Sequence, residues 1–166
     1  MRPFFSSRGL GLAAACALLL AVLPVRAQDD GPITRAQPTL KVENLDIVTH
    51  TGVHHFRVEI AATPRQQEVG LMFRPAMAAG RGMLFEMGPP QQASFWMKNC
   101  PVPLDMLFIR ADGRVLRVAA DAAPYSEAPI ASGGAITGVL ELRGGRAAEI
   151  DAEPGDVVRH PYFHDE

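Results

Sequence analysis

The sequence predicts a mainly β fold, a single antiparallel β-sandwich or barrel with one or two short helices. Two observations predict it. Short apolar or alternating stretches recur between turn signals such as Thr51-Gly52, Asp112-Gly113 and Pro154-Gly155. Before residue 146 a single segment, opening at Thr63-Pro64, has good helix start and stop signals. Many short strands with little helix suit layered or closed antiparallel sheets.

The elements follow in order. Residues 28–39 (QDDGPITRAQPT) are polar, hold two prolines and lack periodicity, so a flexible tether is expected. A single β-rich domain over 40–166 should follow. Leu40 to Thr49 is β-biased. After Thr51-Gly52, alternation resumes with Val53, Phe56, Val58 and Ile60, which predicts a hairpin. Thr63 can cap a helix and Pro64 suits its first position, where no N–H is needed. Gly70 weakens that helix and Pro75 ends it.

Met83–Met87 and Ser94–Met97 are short apolar runs parted by Gly88-Pro89-Pro90. Leu104–Ile109 is apolar on both faces apart from Asp105, as in a strand buried on both sides. Asp112-Gly113 should turn it into a partner strand at 114–119. Residues 121–136 suggest a long loop, Gly138–Arg143 a strand, and Arg146–Asp151 a helical turn. Val157-Val158 would make a last short strand.

The N-terminus has its own pattern. Arg2 and Arg8 precede an apolar run from Leu10 to Val22, and Val25-Arg26-Ala27 follows. A basic start, a short apolar stretch and a small exit residue describe a secretory signal, with cleavage expected after Ala27. The run is too short to span a membrane, which takes about 20 residues. Ala13-Ala14-Ala15-Cys16 is a weak lipidation context, because strongly apolar residues follow Cys16. The expected destination is the periplasm or the exterior, without a transmembrane segment.

Residues 28–166 retain 13 basic and 18 acidic residues, a net charge of −5. That balance, without a basic run, argues against a nucleic-acid partner. Cys100 is the one cysteine left, so no intramolecular disulfide can form.

The most distinctive stretch runs from Phe95 to Asp105 and holds the sole Trp and one of two Lys. In a strand, Trp96 and Lys98 would share one side and Phe95 and Met97 the other. Trp96, Lys98 and Asn99 together would form a binding wall, although Trp96 taken alone also suits core packing. Asp105 lies in a run that looks buried and must be paired or protonated there. Lys98, Arg74 and Asn99 are its plausible partners. Glu141 repeats the situation in Val139-Leu140-Glu141-Leu142. Pointing inward with Asp105 it could share acid and base roles; pointing outward is the simpler expectation. His50, His54, His55, His160 and His164 lack metal-ligand spacing, so no metal site is expected, and no cofactor motif is present. Cys100 is expected to be shielded and inert.

The segments GLMFRPAM, GMLFEM, FWMKN, PLDMLFIRADGRV, GVLELRGG and PGDVV occur in an order and spacing that resembles domain-of-unknown-function family 192, over about residues 58–158. The resemblance implies an antiparallel sandwich of jelly-roll type and fits an exported protein. It implies no activity. It draws attention to Arg74, Trp96, Lys98, Asn99, Asp105 and Glu141, which fall in those segments. The family usually has Thr where this chain has Cys100.

Three functions compete. The first is a periplasmic binding or accessory domain that takes a small polar ligand, carbohydrate included, at Arg74, Trp96, Lys98, Asn99, Asp105 and Glu141. The second is a structural envelope protein with those residues in a buried network. The third is a hydrolase or lyase using Asp105 with Glu141. A non-enzymatic role is the expectation.

Overall fold

The structure is a computed structural model that describes residues 31–163. The expected signal, residues 1–27, lies outside them.

Alternating side chains place the strands close to where the sequence suggests. Strands β1 (Val42–Thr49) and β2 (Gly52–Ala61) form an antiparallel hairpin. Helix α1 (Pro64–Val69) opens with a capping box: Thr63 Oγ1 accepts from the Gln66 N–H at 3.3 Å, and Gln66 Oε1 accepts from the Thr63 N–H at 3.0 Å. It stops at Gly70, whose φ is +48°; a Cβ there would also lie 3.2 Å from the Phe85 ring. After it come β3 (Arg81–Gln91), the short β4 (Ser94–Phe95), β5 (Leu104–Ile109), β6 (Val115–Ala122), the short β7 (Ile130–Ala131) and β8 (Ile136–Arg143). The one-turn helix α2 (Arg146–Glu149) and β9 (Val157–Arg159) complete the chain.

Seven strands form one sheet in the order β6-β5-β8-β3-β2-β1-β9, curled into a half-barrel. Its two edges touch: the Val115 N–H donates to Asp156 O and the Val158 N–H to Gly113 O, each at 2.8 Å. Of the expected antiparallel sandwich or barrel, the curled sheet is nearer the barrel, and it departs from a jelly-roll sandwich in two ways. The strand order gives one curled sheet where a jelly-roll sandwich has two packed sheets. In addition, β2 and β3 pair in parallel, because α1 and residues 70–80 carry the chain back to Arg57, midway along β2, before β3 begins. Strand β3 also runs past Gly88-Pro89-Pro90. The register shifts between Glu86 and Gln91, which leaves the prolines outside the regular ladder. The 121–136 loop holds β7, which pairs with β4 as a separate ribbon.

Both faces of the sheet are covered. All seven strands contribute to one apolar cluster, including Leu45, Phe56, Leu84, Leu107, Leu140 and Val158, which α2 closes with Ala147. The opposite face carries Met83, Phe85, Met106, Phe108 and Val139, beneath Leu71, Met72 and Met97. Residues 31–39 form no helix or strand, yet they are tied down. Gln37 Nε2 donates to Gly70 O at 2.9 Å and Gln66 O at 3.1 Å, and Ile33 packs on the second cluster. A lone glutamine inside a polar stretch gives no sign of such docking. Among the described residues no helix is long and apolar enough to cross a membrane.

Candidate functional site

Strand β4 ends at Phe95 and a turn follows at Lys98 and Asn99, yet the side chains divide as the motif's spacing suggests. Phe95 turns inward and meets Phe85 and Phe108 edge-on, with ring centroids 5.2 and 6.2 Å apart. Met97 is fully buried. Trp96 faces the other way and stays 47% exposed, so the expectation of core packing for this ring fails. Lys98 Nζ lies 4.9 Å from the Trp96 ring centroid, a cation–π arrangement. Backbone bonds hold the loop: the Met97 N–H donates to Ser126 O at 2.8 Å, and the Tyr125 N–H donates to Cys100 O at 3.1 Å. Asn99 adopts φ +56° and its carbonyl accepts from the Phe73 N–H at 2.8 Å.

Beneath Trp96 and Lys98 is a pocket of about 220 Å³. Its walls are apolar: Val69 at the end of α1, Leu71 and Met72 just after it, Phe85 and Met87 on β3, and Phe95 on β4. Glu141 and Cys100 line its buried part. Two other polar side chains at its edge are already committed. Gln67 Nε2 donates to Glu86 O at 2.7 Å and Ala61 O at 3.1 Å, and Glu68 pairs with Arg65 at 2.8 Å. A wider groove of about 600 Å³ adjoins it, shares Trp96, Lys98, Glu68 and Met72, and adds Asn99 and Arg65.

Glu141 is only 4% exposed, against the simpler expectation that it points to solvent. A strand covered on both faces offers its residues no outward side. No ion pair or hydrogen bond to its carboxyl is present among the described residues. Burial pushes the carboxyl up to about 8, so it is protonated at neutral pH. Burial, and after it the nearby Glu141, pushes the Cys100 thiol up to about 12. It is therefore a thiol, not a nucleophilic thiolate. The buried part of the pocket thus offers O–H and S–H groups among hydrocarbon, with one ammonium at its mouth.

Asp105 and Arg74 stand apart from this pocket. Asp105 is fully buried, and none of its expected partners reaches it. Its Oδ1 accepts from the Asp121 N–H at 2.8 Å and the Gly145 N–H at 3.1 Å, and its Oδ2 from the Ala147 N–H at 2.6 Å. It therefore joins β5 to β6 and to the start of α2. Arg74 instead holds Glu59 through two hydrogen bonds of 2.9 Å. Nor do Asp105 and Glu141 form an acid–base pair. On neighbouring strands Asp105 is opposite Leu142 and Met106 opposite Glu141, so the two carboxyls project from opposite faces of the sheet.

The structure thus brings together Trp96, Lys98 and Glu141, with Asn99 beside them, and separates off Arg74 and Asp105. Sequence reasoning did not include the apolar walls or Cys100 in the site. The Leu71-Met72 pair inside GLMFRPAM and the position of Cys100 directly after FWMKN were the available signals. Among the described residues no group of three or more His, Cys, Asp or Glu is placed to hold a metal ion.

Comparison with known proteins places this geometry. No curated protein matches the chain. A solved protein of unknown function from Novosphingobium aromaticivorans is 40% identical, with a TM-score of 0.72 over 75% of this chain and 91% of its own. A Sinorhizobium meliloti protein described as a "putative transcription regulator" is 39% identical, with a TM-score of 0.72 over 75% of this chain and 97% of its own. The model of the family described as uncharacterized ACR, DUF192, matches residues 46–160. With most of its sheet and the whole Trp96–Glu141 pocket inside that span, the chain belongs to the DUF192 family.

Proposed function

We propose that this is an exported binding or accessory domain that takes a small ligand in the pocket beneath Trp96 and Lys98. One observation carries the proposal: a half-exposed indole and its stacked ammonium stand over a pocket whose buried end holds a carboxyl without a partner. Native folds rarely leave a buried polar group unmatched unless a ligand or water meets it. The signal-like N-terminus supports the periplasm or the exterior as its place of work.

The apolar walls shift the ligand away from a sugar. Trp96 could stack on one, but most of the pocket wall is hydrocarbon, the Gln67 amide N–H groups are taken by Glu86 O and Ala61 O, and Glu68 is paired with Arg65. The structural reading keeps support at a different place, outside the pocket, where backbone N–H groups meet both Asp105 oxygens and Arg74 pairs with Glu59. A DNA-binding role, suggested by the description of the S. meliloti relative, has the net charge of −5 over residues 28–166 against it.

Trp96 is the single tryptophan, so its fluorescence reports on this site alone. Titration of the mature chain with small acids, amines, alcohols and sugars should give a saturable change with at least one class. Trp96→Ala should abolish that binding, read by calorimetry, with little change in melting temperature. Undiminished affinity in this variant would reject the site.

A further inference from the structure

We infer that the ligand is a small monocarboxylate with an apolar body: its carboxylate on Lys98 at the mouth, its body along Phe85, Phe95 and Met72, and an oxygen acceptor facing Glu141. The inference rests on the pocket reading above and names the ligand class for it.

The charge at the mouth selects the head group. Lys98 is the one cationic residue lining this pocket. It lies on the Trp96 ring and has no carboxylate partner among the described residues. The ring face orients the ammonium without neutralising it, so an anion gains a charge-assisted hydrogen bond there. Glu68, at the same edge, holds its charge in a pair with Arg65 and disfavours a second negative charge on the ligand.

The walls and the buried end select the rest. Aromatic and thioether side chains favour hydrocarbon over hydroxyls. A volume of about 220 Å³ lies below the range for drug-sized ligands, so the body must be short. Glu141 is 4% exposed and without a partner, and as a neutral acid it offers one O–H to an acceptor. A ligand ammonium could instead take that proton's place. It would have to pass Lys98 and give up its hydration between apolar walls, so the carbonyl or ether oxygen is the better match.

The test uses the mature chain with four probes: hexanoate, 5-oxohexanoate, hexylamine and glucose. Trp96 fluorescence and thermal shift are followed together. Both acids should bind and hexylamine and glucose should not. The oxo-acid should bind about five- to tenfold more tightly than hexanoate, as one added hydrogen bond provides. Lys98→Gln should weaken both acids by at least about tenfold while leaving the melting temperature nearly unchanged. Binding of hexylamine or glucose in preference to the acids, or acid affinity unchanged in Lys98→Gln, would overturn the carboxylate while keeping the pocket. Silence from all four probes in both measurements would overturn this inference. Silence across the wider panel of acids, amines, alcohols and sugars would remove the pocket reading as well.

Discussion

Asp105 and Glu141 lie almost side by side on adjacent strands, both buried, and they behave in opposite ways. Asp105 faces the cluster shared by all seven strands, where three backbone N–H groups from β6 and α2 converge on its two oxygens. Glu141 faces the other cluster, where hydrocarbon, a thiol and an open pocket surround it. Register alone separates them: a shift of one position between partner residues moves a side chain through the sheet. Burial by itself therefore does not assign a role to a carboxyl. What converges on it does.

The largest expected effect comes from the unmatched member of the pair. Glu141 titrates near 8 in the folded chain and near 4.5 when unfolded. The folded state thus keeps a proton that the unfolded state releases. Stability from this group is fully present below about pH 4.5 and is lost as pH rises to about 8. That difference corresponds to a loss on the order of 5 kcal/mol. Glu141→Gln keeps the shape and removes the titration. Its melting temperature should exceed that of the parent at pH 8, and the gap should close toward pH 5. Parallel pH profiles for the two proteins would show that Glu141 is not buried and neutral.

Asp105→Ala tests the matched member. Removal of the carboxylate leaves the buried Ala147 N–H and the partly buried N–H groups of Asp121 and Gly145 without their acceptor. A loss of roughly 3–5 kcal/mol should follow in urea unfolding. Ligand affinity of the folded fraction should stay unchanged, because the group lies across the sheet from the pocket. An unaltered midpoint would reject the three-amide network. Reduced affinity at full folding would break the division between the two faces.

Much of the fold was legible because it is local. The Thr63 cap, the Asp112-Gly113 turn and the doubly covered β5 are each encoded within a few residues. The grouping of Trp96 with Lys98 agrees with the expectation, although a turn after β4 and not a strand brings them together. What stayed hidden is non-local. The donors to Asp105 come from 16, 40 and 42 residues away and are backbone groups, which leave no mark on side-chain identity. The parallel pairing of β2 with β3 depends on where residues 70–80 return. The face chosen by Glu141 was equally hidden, because in a strand apolar on both sides the alternation marks no exterior.

The smallest expected effect uses a third carboxyl to sharpen the contrast. Glu59 is partly buried, with a side chain 12% exposed, and it has what Glu141 lacks: Arg74, held by two hydrogen bonds of 2.9 Å. The Leu40 N–H donates to it as well, at 2.8 Å. Arg74→Met keeps the apolar stem of the side chain and removes the guanidinium, so Glu59 is left with the Leu40 N–H alone. The variant should lose roughly 1–3 kcal/mol at neutral pH, less than a fully enclosed pair would, since some water reaches the site. The loss should shrink in a Glu59→Gln background, where no charge is left without its partner. A loss that is equal in both backgrounds would assign Arg74 a packing role for its alkyl chain. A loss that fades would leave partner supply, and not burial, as what separates the matched carboxyls of this sheet from the one that faces the pocket.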